Sequence, residues 1–257
     1  MSVKTKLAVA LATAVTMMTG ALASANTVSA NFLSANPGNQ AFNVTYRNTS
    51  NVSTSTGNIR AGLMNWTQTA FTGSGNLVGN NSNFVTYCID LAQNVNSNTF
   101  NVTSDASTVP NPLTSTGSLT TAWAGDSTKT KEAALKRLYA KHFNAANTSG
   151  DYHAAFQLAV WEIIFETTTG DKSLTSGTTL STGVAAAISQ ASLFVTNLYD
   201  GGTFAEGSFV YLTGNNNQDQ IFYRPLSFGD LPVIPLPAAS LGGLMLLGMI
   251  GAKRSMK

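Results

Sequence analysis

Two side chains in this 257-residue sequence are chemically out of place where they stand. Cys88 is the single cysteine, set in Thr86-Tyr87-Cys88-Ile89-Asp90-Leu91, a stretch that reads as a strand. Gln157 sits inside Ala155-Phe156-Gln157-Leu158-Ala159-Val160-Trp161, in the middle of an apolar helix. A buried amide without partners costs about 1–3 kcal/mol, so something must satisfy Gln157 or consume it. One reading is ordinary: a free Cys is among the most buried residue types, and a hydrogen-bonded core Gln needs no function. A second pairs the Cys88 thiolate, a strong nucleophile, with His142 or His153 as the base of a Cys-dependent hydrolase. His142 falls on the apolar stripe of its helix, and His153 lies four residues before Gln157, on the same helical face. Asp90, Glu162 and Glu166 are too scattered for a paired-carboxylate site, and no metal-ligand cluster or phosphate-binding loop is visible, so no metal or cofactor is expected.

A third reading comes from a resemblance. Phe84-Val85-Thr86-Tyr87-Cys88-Ile89-Asp90 followed by Phe156-Gln157-Leu158-Ala159-Val160-Trp161-Glu162 resembles the paired signature of bacterial thioester domains. In that family an aromatic-Cys strand and a Gln-x-Ala-Ile/Val-Trp helix supply the halves of an internal Cys–Gln thioester. The resemblance spans about residues 46–223, and its specific part is these two blocks. It implies that Cys88 supplies the sulfur and Gln157 the acyl group, with Tyr87 and Trp161 shielding the bond. Apart from the resemblance, the position of His153 on the Gln157 face suits it to polarise the thioester carbonyl or to relay protons. Many members carry Thr before the Gln, where this chain has Phe156. The chemistry so implied is displacement of ammonia by the thiolate, with proximity replacing an external catalyst. An amine or hydroxyl on another molecule would then attack the acyl carbon and free Cys88. That makes a single-use covalent adhesin and not a turnover enzyme.

The elements that must position these residues follow from pattern. Phe42–Arg47 alternates as a half-buried strand should, and Ile59–Thr69, Phe84–Leu91 and Thr99–Thr103 read as further strands. From Thr128 the periodicity becomes helical. Lys129–Asn144 places Leu135, Leu138, Tyr139, His142 and Phe143 on one side, with Lys131, Lys136, Arg137 and Lys141 elsewhere. Tyr152–Glu166 is apolar on nearly every side and so must be enclosed, with Asp151 as its expected N-cap. A third helix is expected over Gly183–Tyr199, then strands over Ser208–Thr213 and Gln220–Pro225. Strands, then helices, then strands predict an α+β fold: an antiparallel sandwich or barrel-like sheet with a helical insertion over about residues 128–200.

The two ends read as targeting signals. Lys4 and Lys6, the apolar run Leu7–Ala23 and the small residues before Ala25 form a secretory signal over residues 1–25, with cleavage after Ala30 as the second choice. At the other end, Ile234-Pro235-Leu236-Pro237-Ala238-Ala239, an apolar segment over residues 238–252 and the closing cations resemble the VPLPA form of the PEP-CTERM sorting tail of Gram-negative bacteria. That resemblance implies an exosortase-type membrane protease as partner. It implies inner-membrane anchoring through residues 229–257 at first, then delivery to the envelope, outer surface or extracellular matrix. Setting aside Lys4, Lys6, Lys253, Arg254 and Lys257 leaves nine cations against twelve acids, a net of −3, so no basic surface argues for nucleic acid. Residues 26–228 are then one exported domain, and its single cysteine allows no internal disulfide. The expected function is covalent attachment to a surface ligand, with a non-covalent exopolysaccharide-matrix or biofilm protein as the alternative.

Overall fold

Alternation along the chain builds the strands, and in β1 (Thr27–Ala35) Val28 and Ala30 turn inward while their neighbours do not. The computed structural model describes residues 26–225, apart from 36–39, 48–52, 74–76, 92–93, 110–118, 124–125, 167–171, 178, 202–205 and 215–216. The expected signal segment with Ala25, residues 226–228 of the expected domain and the sorting tail, including Pro235, Leu236, Pro237 and Ala238, lie outside the described residues. No helix among those described is long and apolar enough to cross a membrane.

After β1 come β2 (Gln40–Arg47), β3 (Ser53–Ala61), β4 (Met64–Thr72), β5 (Asn83–Cys88), β6 (Asn98–Thr103), β7 (Ala122–Trp123) and β8 (Asp126–Thr130). The helical part is α1 (Lys131–His142), α2 (Gly150–Phe165), β9 (Leu180–Thr182) and α3 (Ala185–Thr196), and the hairpin β10 (Ser208–Gly214) and β11 (Asn217–Arg224) follows. The fold is α+β. Six antiparallel strands close a barrel in the order β1-β4-β5-β11-β10-β6, β3-β2-β9 form a second sheet, and β7-β8 a small ribbon. Closure gives each strand a neighbour on both sides, although β5 runs on past the first residue of β4. Its interior holds Trp66, with Phe32, Phe84 and Phe100 at ring distances of 5.2, 6.4 and 5.4 Å.

Helix α2 packs against β5 of the barrel, against β2 and β3, and against both other helices. Every residue from His153 to Phe165 is buried, as an all-apolar helix demands. Each large apolar side chain so enclosed contributes about 1.5–3 kcal/mol, which outweighs the poor local logic of a helix with no solvent face.

Several expected boundaries move, each for a physical reason. The strand expected over Ile59–Thr69 is two strands, because Ala61, Gly62, Leu63 and Met64 are all buried. Four consecutive buried residues cannot alternate, and here the chain crosses from one sheet to the other. Ser149, not Asp151, caps α2: its hydroxyl accepts from the Tyr152 N–H, while the Asp151 carboxylate accepts from the Gln40 amide. Lys131 and Arg137, which the sequence sets apart from the apolar side of α1, are buried. Lys131 Nζ donates to Ile164 O at 2.5 Å, at the end of α2, and Arg137 Nε donates to Leu198 O at 3.3 Å, just past α3. Both cations serve carbonyls at helix C-terminal ends, where the helix dipole favours them. Strands β3 before Ile59, β7, β8 and β9 carry no strong period in the sequence and owe their pairing to the sheets they join.

Candidate functional site

The register of β5 decides what Gln157 meets. β4 begins at Met64, whose partner on β5 is Thr86, so β4 offers nothing opposite Cys88 two residues further on. On the other side, the Ile89 N–H donates to Asp219 O, in line with β11. Along an antiparallel strand, hydrogen-bonding groups alternate sides. The N–H and C=O of Cys88 therefore face the gap where β4 has not begun. Gln157 fills it: the Cys88 N–H donates to Gln157 Oε1 at 2.9 Å, and Gln157 Nε2 donates to Cys88 O at 2.8 Å. The side-chain amide stands in for a missing peptide group. Both residues are 0 % exposed.

The sulfur has its own contacts. The Cys88 thiol donates to Asp90 O at 2.6 Å, and the Asp90 N–H lies 3.2 Å from Sγ. Burial pushes the thiol well above its ordinary range, and the nearby Asp90 charge pushes it further. The Asp90 N–H pulls the other way, as does the Trp161 indole N–H, which faces the sulfur beyond strict hydrogen-bond geometry. Gln218 Nε2 donates to the same Asp90 carbonyl at 2.7 Å. A chain of polar groups continues from there: Gln220 Nε2 donates to Gln218 O, Thr86 Oγ1 to Gln220 Oε1 and Trp66 Nε1 to Thr86 Oγ1. Asp219, in the same run of β11, is pushed up to about 7 by burial and by the Asp90 charge, against the Gly214 N–H bond that steadies its anion.

His153, Gln157 and Trp161 recur every four residues and share one face of α2. The sequence offered His153 to polarise the Gln157 carbonyl or relay protons, but both of its ring nitrogens are engaged elsewhere. Its Nδ1 is 2.6 Å from the Tyr87 hydroxyl and its Nε2 is 2.7 Å from Asn147 O. A carbonyl only accepts, so Nε2 carries the proton and Tyr87 donates to Nδ1. Burial lowers the imidazole below its ordinary value, which favours this neutral form. His142 stacks on Phe194 at 4.4 Å, and burial with the Lys141 charge brings it to about 4. Neither imidazole hydrogen-bonds the thiol. The thiol and the two imidazoles are therefore not hydrogen-bonded to one another as a nucleophile–base pair would be.

Tyr87 lies in an aromatic cage, with Phe156 at 4.5 Å, Tyr139 at 6.1 Å and Phe143 at 6.4 Å. Phe156, which precedes Gln157, thus packs on the ring beside Cys88. Among the described residues no group of three or more His, Cys, Asp or Glu could hold a metal ion. The sequence did not flag Asp219, Gln218, Gln220 or Asn147. The one available signal was the unbroken polar run Asn217-Gln218-Asp219-Gln220, which is buried throughout β11. Compared with protein-family models, with curated proteins and with solved structures, the chain matches none.

Proposed function

We propose that this is an exported surface or matrix protein whose Cys88 and Gln157 form an internal thioester for covalent attachment to an amine or hydroxyl on a target. The observation that carries the proposal is the double hydrogen bond between the Gln157 amide and the main chain of Cys88 itself, both fully buried. It supports the reading because the two ends of the bond occupy one place in the fold. The Cys88 N–H is also already aimed at the oxygen that would become an oxyanion.

The steps balance. Sγ attacks Cδ of Gln157, the carbonyl oxygen takes the negative charge under the Cys88 N–H, and Nε2 leaves as ammonia with the thiol proton. In capture, the incoming nitrogen or oxygen bonds to Cδ, the C–S bond breaks and the proton passes to sulfur. Burial, which raises the thiol, also protects the acyl–sulfur bond from hydrolysis.

Export belongs to the same proposal. Cleavage after Ala25 leaves β1 whole, whereas cleavage after Ala30 would strip Thr27–Ala30, which pair with both β4 and β6. The tail, through Pro235, Leu236, Pro237 and Ala238, would hand the protein to an exosortase-type protease for delivery to the envelope or matrix.

A second reading has its own supporting observation. Both polar atoms of the Gln157 amide are satisfied, so a purely structural Gln that finishes the edge of β5 loses nothing by staying an amide. It would make this a non-covalent matrix protein with an inert Cys88. Intact mass decides between them. The thioester reading requires the loss of one ammonia, absent from Cys88→Ala and from Gln157→Ala, and uptake of one methylamine with release of a titratable thiol. A full-mass wild-type chain with a free thiol rejects it.

A further inference from the structure

Helix α2 and strand β5 touch at two successive rungs, and only one of them contains the reacting groups. At Cys88 the contact runs from a side-chain amide to the main chain. Gln157 reaches it through three rotatable bonds, so the amide can occupy that place only if the helix is held at the right height and distance. At Tyr87 the contact is side chain to side chain: the hydroxyl donates to His153 Nδ1 at 2.6 Å, and Phe156 packs on the ring. His153 is one helical turn before Gln157, about 6 Å along the axis. Its Nε2 donates at 2.7 Å to Asn147 O, in the segment between α1 and α2. One imidazole therefore ties β5, α2 and the connection that leads into α2.

We infer that the Tyr87–His153–Asn147 chain is the positioning device of the Cys88–Gln157 chemistry, a clamp that fixes α2 on β5 so that the amide carbon is presented to Sγ. This rests on the thioester reading. Tyr87 and His153 touch no reacting atom and are positioning residues. The pair suits the task because both partners are neutral and stiff. Burial raises the Tyr87 hydroxyl well above its ordinary value and lowers His153, so the link keeps one hydrogen-bond polarity at neutral pH. The groups facing the imidazole are the Tyr87 hydroxyl from β5, the Asn147 carbonyl from the connection, and the Tyr152 ring beside it on α2 at 5.7 Å. A hydrogen bond from a rigid ring to a rigid ring restricts orientation more tightly than packing alone, and small misplacements of reacting groups lower rates by about a hundredfold.

The test compares the full-length wild-type chain with Tyr87→Phe, His153→Leu and His153→Asn, the last of which retains an acceptor near the place of Nδ1. The readouts are the fraction lacking one ammonia, the rate of methylamine capture and the unfolding temperature. The clamp predicts that Tyr87→Phe and His153→Leu lower the ammonia-depleted fraction by roughly tenfold, within that hundredfold scale, and that His153→Asn recovers most of it at an unfolding temperature no higher than that of His153→Leu. Wild-type completeness in Tyr87→Phe and His153→Leu overturns the inference and leaves the thioester standing, as does a fraction that follows unfolding temperature alone across the series. Should the wild-type chain keep its ammonia, the thioester reading falls, and the clamp is judged by hydrogen exchange at the Cys88 amide. Faster exchange in His153→Leu with recovery in His153→Asn supports it, and equal exchange in all chains overturns it.

Discussion

Replacing Gln157 by Glu asks directly whether that side chain replaces a strand at Cys88. The comparison is best made in a Cys88→Ala chain, where no thioester can form and the loss of Sγ is common to both members of the pair. One carboxyl oxygen of the new Glu would still accept from the residue-88 N–H, as Gln157 Oε1 does at 2.9 Å. The other would face the residue-88 carbonyl, 2.8 Å from the present Nε2, where only a donor is tolerated. The folded state must therefore keep the carboxyl protonated, whereas the unfolded chain releases the proton near pH 4.3. A group whose folded pKa is raised this way binds more protons in the folded state, so its stability contribution declines as pH rises above the unfolded pKa. The slope is at most about 1.4 kcal/mol per pH unit, amounting to about 3–4 kcal/mol by pH 7 while the proton is held. That is a large share of a typical domain's 5–15 kcal/mol. Urea unfolding of Cys88→Ala and of Cys88→Ala with Gln157→Glu, from pH 4.5 to 7.5, reads the difference. Parallel curves for the two chains would refute the placement of the amide against the Cys88 main chain.

Three further outcomes follow from buried groups. Lys131, held at about 8 by burial against an ordinary 10.5, binds fewer protons folded than unfolded between those values. Stability should therefore rise from pH 8 to 10.5, by on the order of 3 kcal/mol, and Lys131→Met should abolish the rise in alkaline denaturation curves. Asp219, pushed up to about 7, keeps a proton that the unfolded chain loses near 3.8, so its contribution falls as pH climbs from 3.8 to 7. Asp219→Asn preserves the acceptor for the Gly214 N–H and should flatten that fall, leaving the variant more stable than wild type at pH 7.5 by thermal unfolding. Trp66→Phe removes the indole donor to Thr86 and part of the barrel's filling, for a loss of about 2–4 kcal/mol measured by denaturant midpoint.

The reading of α2 shows where sequence suffices. Ten apolar residues between Ala154 and Phe165 leave the helix no solvent face, and the structure encloses all of it. The α+β class followed from the order of patterns in the same way. Boundaries were less legible where a local rule met a tertiary demand. Asp151 is a good N-cap residue, but Ser149 takes the role and Asp151 turns to Gln40. Lys131 and Arg137 look like surface cations on α1, yet carbonyls at the ends of α2 and after α3 draw them inside. No window of sequence contains both partners.

The candidate site divides along the same line. Composition and order alone single out Cys88 and Gln157, because a lone thiol in a strand and a lone amide in an apolar helix are anomalies that each residue type makes visible. Period four likewise puts His153, Gln157 and Trp161 on one face. What each of them touches was decided elsewhere. The starting residue of β4 leaves the Cys88 main chain open to Gln157, and the loop carbonyl of Asn147 sets the His153 tautomer. Long-range register and loop geometry are sums of many weak packing choices spread over the whole domain, so they emerge only when the barrel closes and the helix settles against it.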